Sequence, residues 1–387
     1  MVQPLIRYCL RDGDPTFPEV RTRCGTLAGR VGICANVFLF ALKLLCGLFA
    51  GSVSMVADAV NNLSDAAGSL VTLIGFKLAG QAADADHPFG HGRMEYISGF
   101  LVSVAILLMG FELLKSSVQA LFAPAHTTFS PMIAILLLLA IGVKLMLWQF
   151  NRKLGKLIDS AAMEATAADS LSDCAATGAV LLSSFAGQFT DLPVDAAAGI
   201  LVSLFIFKAG WDSLKATIDP LLGRPMDPGL AKEIDELVVS HEFILGIHDL
   251  VYHDYGPGRA MMSFHAEVPA EGDMLVIHDM IDHIERELKA KHHIEAVIHM
   301  DPVVMDERTI ALRDQIEELA KTIDPSLSIH DFRITAGPLH TNLLFDLLIP
   351  YQCPLPPDVV RACLTQEIKN LSDRYFPVFH IDRSFVE

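Results

Sequence analysis

Six long apolar segments occupy the first 220 residues of this chain, and they constrain its fold more than any other feature. Each is close to the roughly 20 residues that a helix needs to cross a bilayer core. The first begins some thirty residues into the chain and lacks the cleavage site of a signal peptide. We therefore expect an α-helical membrane domain followed by an acidic soluble region. The segments are Val31–Ala50, Val53–Leu78, Ile97–Leu121, Pro131–Phe150, Met163–Phe185 and Val194–Leu214.

The connecting loops carry Lys and Arg on one side only. The loops GSVS, APAHTTFS and GQFTDLPV contain neither residue, whereas the other flanks carry several. Because loops rich in Lys and Arg remain in the cytoplasm, the pattern predicts six spans of the cell membrane with both termini cytoplasmic. The net charge of -17 argues against a nucleic-acid partner and suits a protein that attracts cations. The seven cysteines have no regular spacing, and we expect them to be reduced packing residues.

Two of the apolar segments carry pairs of polar residues four apart that include acids. The second contains ADAVNNLSDA, in which Asn61 and Asp65 share a helical face, and the fifth contains EATAADSLSDC, in which Asp169 and Asp173 do. An ionised carboxylate inside a bilayer costs several kcal/mol, so these acids require a cation or protons. We predict that the four residues form one oxygen-donor site for a divalent cation, with Asp58 outside the set. The alternative is hydrogen bonding between helices without a metal.

Three stretches resemble the cation diffusion facilitator family: ADAVNNLSDA, DADHPFGHGRMEYISG and ATAADSLSDC. The likeness covers roughly residues 28–303. It implies a homodimer with six membrane helices per subunit and a cytoplasmic metallochaperone-like α/β domain, which exports divalent metals in exchange for protons. It implies neither enzyme activity nor a prosthetic group. It places the transport site on the same four residues, Asn61, Asp65, Asp169 and Asp173.

The resemblance also implies a second metal site in the loop after the second span, formed by Asp84, His87 and His91. The alternative is a loop shaped by its proline and glycines, in which the histidines only cap helix ends. At the transport site, zinc-carrying members of the family usually have histidine in one or two of the four positions. Here all four donors are oxygens, which suit Mn²⁺ better than Zn²⁺. We therefore predict manganese, with Zn²⁺ and Fe²⁺ as the alternatives.

After Leu222 the hydropathy falls and the pattern predicts a small α/β domain. The resemblance implies cytoplasmic metal binding at four positions, with a purely structural role for each histidine as the alternative: His265, His278, His299 and Asp301. Leu245 stands where another family histidine is expected, so a full binuclear cluster is not predicted. The predicted elements are a helix at Pro228–Ser240, strands at Gly246–Tyr255 and Arg259–Val268, a helix at Asp273–His292 and a strand at Glu295–Met300.

The chain then repeats itself at an offset near eighty residues. IHDLVYHDYGPGRAMMSFHAEVP is echoed by IHDFRITAGPLHTNLLFDLLIP, and His299 and Asp301 recur as His380 and Asp382. Asp346 is retained as well, but Val359 stands opposite His278. We expect a second copy of the α/β fold, with a role in packing or dimerisation. The predicted domains are an N-terminal cytoplasmic segment 1–27, the membrane domain 28–222, the α/β domain 223–303 and its copy 304–387.

Two other classes of protein compete with the transporter interpretation. A membrane metal sensor would bind metal in its soluble tail and would not require four oxygen ligands within the membrane. An intramembrane aspartyl protease would carry a GxGD-type motif around one acid, and neither Asp65 nor Asp173 has one.

Overall fold

The computed structural model describes residues 2–10, 15, 17–50, 53–122, 131–186, 194–304, 306–337 and 340–383. The three loops whose lack of Lys and Arg carries the orientation prediction fall largely outside these residues. The chain divides into two compact units. The helical unit comprises residues 1–224 together with the turn 254–259, and the α/β unit comprises residues 225–253 and 260–387.

Helices make up most of the described residues of the helical unit. A short α1 covers Val2–Leu10, and six long helices follow: α2 Pro18–Ala50, α3 Val53–Ala79, α4 Met94–Phe122, α5 Pro131–Leu157, α6 Ala161–Ala186 and α7 Val194–Leu222. All six predicted apolar segments are therefore helical. Within the described residues, four helices are long and apolar enough to cross a membrane: α2, α4, α5 and α7. The other two, α3 and α6, carry the predicted metal ligands, and their Asp, Asn and Ser residues lower their hydropathy.

Small residues bring α2 and α3 into close contact. A Cβ atom added at Gly29 would lie 2.6 Å from the Cβ of Leu73, and one at Gly32 would lie 2.6 Å from the Oγ of Ser69. Glycines at such positions allow helix backbones to approach closely, as at other membrane helix interfaces. The same interface holds a hydrogen bond from Asn36 Nδ2 to Ser69 Oγ of 3.4 Å. This packing fixes the helix that carries Asp65.

The α/β unit contains two subdomains with the same order of elements. The first α/β subdomain consists of α8 Pro228–Val239, β1 Gly246–Asp254, β2 Ala260–Pro269, α9 Met274–His292 and β3 Ile294–Val303. The second α/β subdomain consists of α10 Glu307–Ile323, β4 Ser328–Ala336, β5 Thr341–Leu348, α11 Pro357–Leu371 and β6 Tyr375–Asp382. The predicted helices and strands of the first subdomain are confirmed to within three residues at each boundary.

Each subdomain has its own three-stranded sheet and its own core. The strand orders are β1-β2-β3 and β4-β5-β6, and in each sheet the last two strands are parallel because a helix connects them. Alternate residues along the strands are buried, as in β5, where every second side chain from Thr341 to Leu347 is buried. The opposite faces of the strands carry the histidines and aspartates that the sequence singles out.

Candidate metal sites

Three acids from two helices meet inside the helical unit. Asp65 lies on α3, and Asp169 and Asp173 lie one turn apart on α6. Each offers one carboxylate oxygen, and these three oxygens lie within 4.8 Å of one another. Neighbouring contacts hold the helices in register, including one of 3.1 Å between the Oγ1 atoms of Thr72 on α3 and Thr166 on α6. The structure thus brings together three of the four residues predicted to bind the transported metal.

Lys144 on α5 lies between two of these acids. Its Nζ donates to Asp65 Oδ2 at 2.7 Å and to Asp173 Oδ2 at 2.5 Å, and its side chain is only 5% exposed. Lys144 is not among the residues predicted from the sequence. The sequence could have identified it, because a lysine inside an apolar span is about as unfavourable in free energy as an acid and requires a partner.

The charges of this acid site are therefore not those of three isolated carboxylates. When all four groups are ionised, the ammonium of Lys144 offsets one carboxylate and two negative charges remain. One divalent cation or two protons would neutralise that remainder. Uncompensated charge is unfavourable in a low-dielectric interior, so the site is suited to bind either one divalent cation or two protons.

The amide of the predicted ligand set lies elsewhere in the structure. Asn61 is exposed on α3, whereas the adjacent Asn62 is buried. Asn62 Nδ2 donates to Asp65 Oδ2 at 3.3 Å, and its Oδ1 has no hydrogen-bond partner among the described residues. A buried amide oxygen without a partner next to a carboxylate is a potential cation ligand. Asp58, excluded from the predicted set, forms an ion pair of 2.8 Å with Lys43 on α2.

The loop after α3 brings the second predicted group together. His87 Nδ1 and His91 Nε2 each lie 3.5 Å from a carboxylate oxygen of Asp84, and the two ring nitrogens lie 3.1 Å apart. The backbone N–H of His87 donates to Asp84 Oδ1 at 2.7 Å, and this bond lowers the pKa of the exposed Asp84 carboxyl. The group offers one oxygen and two nitrogens to a cation that approaches from solvent.

A row of histidines crosses the sheet of the first α/β subdomain. The rings of His299 and His265 lie 4.7 Å apart between centroids, and those of His265 and His248 lie 5.1 Å apart. All three rings point a nitrogen at the Asp301 carboxylate, at distances of 3.3, 2.8 and 3.3 Å respectively. His248, His265 and Asp301 can hold one cation together.

His248 is not among the ligands predicted from the sequence. The position of Leu245 suggested that a histidine was missing, but His248, three residues further on, contributes its ring to the group. The triplet Ile-His-Asp at 247–249 recurs at 329–331, and that repetition was the signal. In contrast, the predicted ligand His278 is exposed on α9, 3.7 Å from Asp282, and the structure does not bring it to this group.

The pKa values of two histidines of the α/β unit are shifted in opposite directions. Burial lowers the pKa of His330, so the neutral imidazole is favoured. Burial acts in the same direction on His248, but the hydrogen bond to Asp249 and the charges of Asp249, Asp301 and Glu267 together outweigh it and raise the pKa of His248. The same hydrogen bond lowers the pKa of Asp249.

One further group was not predicted. His241, His283 and Glu287 lie close enough together to share a cation at the surface of the first α/β subdomain, and His241 Nε2 lies 3.3 Å from Glu287 Oε2. Its residues are partly or fully exposed. Such groups are common on protein surfaces without a metal, and we assign it no role.

Two family models match the chain. The model described as cation efflux transmembrane domain matches residues 30–222, and the model described as cation efflux protein, cytoplasmic domain, matches residues 226–303. The chain belongs to the cation diffusion facilitator family. As a member of this cation efflux family it is a multi-pass membrane transporter of divalent cations and not an enzyme. The second α/β subdomain lies beyond both matches.

Named relatives agree with this assignment. The chain is 28% identical over 282 residues to the manganese efflux system protein MneS of Bacillus subtilis, which covers 72% of this chain and 96% of the relative. It is 27% identical over 284 residues to the cation-efflux pump FieF of Shewanella oneidensis, covering 73% and 96%. It is also 28% identical to a transporter of Methanocaldococcus jannaschii, covering 70% and 96%.

Proposed function

We propose that this protein exports divalent cations, preferably Mn²⁺, from the cytoplasm in exchange for protons. The observation that carries the proposal is the convergence of Asp65, Asp169 and Asp173 on one another, with the ammonium of Lys144 between Asp65 and Asp173. Such a group serves transport because it binds a hard cation through oxygens, and because protons compete for the same oxygens. Asn61 is proposed as the fourth ligand, as the sequence predicts, and the buried Asn62 is its structural competitor.

The charge of the site supports a specific exchange. With Lys144 in place, the site is neutral when it holds one divalent cation and neutral again when it holds two protons. An exchange of one cation for two protons therefore avoids an uncompensated charge in either half of the cycle. Low pH on the outer side would favour protonation of the acids and release of the metal.

The donor atoms support the choice of metal. Carboxylate and amide oxygens favour hard cations such as Mn²⁺, and the absence of imidazole from the predicted ligand set removes the preference for Zn²⁺. Two of the similar proteins carry manganese efflux in their names. Zn²⁺ and Fe²⁺ remain the alternatives, since affinity alone rises from Mn²⁺ to Zn²⁺.

We assign the protein to the cell membrane as a homodimer in which all six long helices span and both termini are cytoplasmic. Paired acids in α3 and α6 are compatible with spanning helices when they face a cation site. The two α/β subdomains are proposed to be tandem copies, because their elements follow the same order and their His-Asp positions recur. In the first copy, His265, His299 and Asp301, with His248, are the proposed cytoplasmic metal ligands.

Metal flux into liposomes containing the purified protein tests the proposal. D65N and D173N should each abolish Mn²⁺ flux, because each removes one charged ligand and leaves a neutral amide of the same size. D58N is the matched control on α3, since Asp58 pairs with Lys43 and not with the site acids; it should keep Mn²⁺ binding in detergent. Flux near that of the unmodified protein in D65N or D173N would contradict the assignment.

A further inference from the structure

The two α/β subdomains meet at a pair of stacked histidines. His248 comes from β1 and His330 from β4, and their ring centroids lie 4.2 Å apart with the planes inclined by 28°. Each histidine is followed by an aspartate with φ of 52°, a left-handed conformation that is uncommon outside glycine. The equivalent triplets of the two subdomains therefore place one histidine each at the same contact.

These rings are buried without adequate partners. The side chain of His330 is only 9% exposed, and neither of its ring nitrogens has a hydrogen-bond partner among the described residues. The side chain of His248 is 8% exposed; its Nδ1, which faces this contact, bonds only to Asp249 at 3.3 Å, and its Nε2, which faces Asp301, lacks a partner of good geometry among the described residues. A buried polar atom left without a partner destabilises the folded state. The two unpartnered nitrogens of His330, on a ring stacked against that of His248, indicate a ligand at this contact.

Asp249 supplies the third donor. Its Oδ2 lies 3.3 Å from His248 Nδ1, and its Oδ1 lies 3.7 Å from His330 Nε2. One donor atom from each of the three residues lies within 4.8 Å of the others. Donors around a tetrahedral Zn²⁺ with bonds of about 2.0–2.1 Å are separated by about 3.3 Å, so the group needs only small movements to close on such an ion.

We propose that His248, Asp249 and His330 form a metal site that joins the second α/β subdomain to the first. Two imidazoles and one carboxylate select a borderline cation of the Zn²⁺ or Co²⁺ type, in contrast to the oxygen donors of the transport site. His330 is the only donor from the second subdomain in this group, so the metal ties that subdomain in place. The proposal does not depend on the transport mechanism.

The site is distinct from the group around Asp301, although the two share His248. His248 directs Nδ1 toward Asp249 and Nε2 toward Asp301, each at 3.3 Å. His265 belongs only to the Asp301 group and His330 only to the proposed site. Single substitutions of these two residues therefore separate the sites.

Zn²⁺ binding to the detergent-solubilised full chain tests the proposal. Equilibrium dialysis followed by elemental analysis would count the Zn²⁺ ions bound per chain. H330A should bind one ion fewer than the unmodified protein, and H265A should retain the ion that H330A loses. H380A is the matched control, because His380 is an exposed histidine of the same subdomain whose ion pair within the described part of the chain is with Asp382, at 3.7 Å. D249N provides a second variant, since asparagine also adopts the left-handed conformation of this position.

Hydrogen exchange adds a structural readout. Zn²⁺ should slow amide exchange in β1 and β4 of the unmodified protein, and H330A should lose this protection in β4. An unchanged number and affinity of bound Zn²⁺ in H330A would overturn the proposal. If H330A does not fold, normal Zn²⁺ binding by D249N would overturn it equally. Loss of the ion in H265A but not in H330A would assign the metal to the Asp301 group instead.

Discussion

Lys144 offers the sharpest test of how the acid site works. K144M removes the ammonium and keeps an apolar side chain of similar length in the core of the helical unit. In the unmodified protein any cation that reaches Asp65 and Asp173 must compete with an ammonium already 2.7 and 2.5 Å from their oxygens. In the variant that competitor is absent. We therefore expect K144M to bind Mn²⁺ more tightly and to transport it more slowly, because release becomes unfavourable.

The size of the effect follows from the burial of the pair. Breaking a buried ion pair by removal of one partner costs about 3–5 kcal/mol, because a charge is left uncompensated. Bound metal or bound protons can compensate the exposed negative charge in the variant. Each 1.4 kcal/mol of this free energy that contributes to metal binding raises the metal affinity about tenfold. Since protons recover part of it, we expect Mn²⁺ affinity to rise by at least about tenfold, and more at high pH than at low pH.

Titration calorimetry with Mn²⁺ on detergent-solubilised protein measures this change. K43M is the matched control, because Lys43 is also a buried lysine, with a side chain 6% exposed, but pairs with Asp58 outside the acid site. It should change Mn²⁺ affinity much less than K144M does, while lowering thermal stability. Equal or weaker Mn²⁺ binding by K144M would refute the idea that the ammonium and the metal compete for the same oxygens.

Three further predictions address selectivity, helix packing and charge. D169H should shift transport toward Zn²⁺, since a borderline nitrogen replaces a hard oxygen; an unchanged ratio of Mn²⁺ to Zn²⁺ flux would show that ligand hardness does not select the metal. G29L should lower the yield of folded protein on size-exclusion chromatography, because its Cβ alone would lie 2.6 Å from that of Leu73; normal yield would contradict the described packing of α2 on α3. Burial, with a contribution from Asp249, raises the pKa of Asp382. The ionised form is therefore disfavoured in the folded state, and D382N should raise the melting temperature at pH 7, with a gain that shrinks as pH falls through the raised pKa and vanishes below about 3.9.

Periodic features of the sequence predicted most of the fold. The six long helices follow from apolar length, and the strands of the first α/β subdomain follow from alternation between turns. The contact between acids of α3 and α6 was also predictable. Ionised carboxylates are unfavourable against lipid, so two helices that carry them are expected to turn these side chains toward a shared site. Among the described residues, four of the six long helices have the length and hydropathy of membrane spans. The other two, α3 and α6, have polar site residues in place of apolar ones.

Residues whose partners come from distant parts of the chain were harder to predict. Lys144 stands alone in an apolar run, and nothing local in the sequence identifies its two acids. Asn61 and Asn62 are adjacent, and either can share a helical face with Asp65, so spacing alone did not distinguish the exposed amide from the buried one. His330 acquires a role only when the second subdomain lies against the first, which depends on tertiary structure.

Inside-out membrane vesicles can show whether metal is exchanged for protons. With an acidic lumen and Mn²⁺ outside, we expect Mn²⁺ to accumulate in the lumen while a luminal dye reports rising pH, and D173N to show neither change. With charge-balanced exchange, an imposed membrane potential should leave the rate unaltered. If Mn²⁺ enters equally fast without the pH gradient and no protons move, the exchange mechanism is wrong and the protein conducts metal passively.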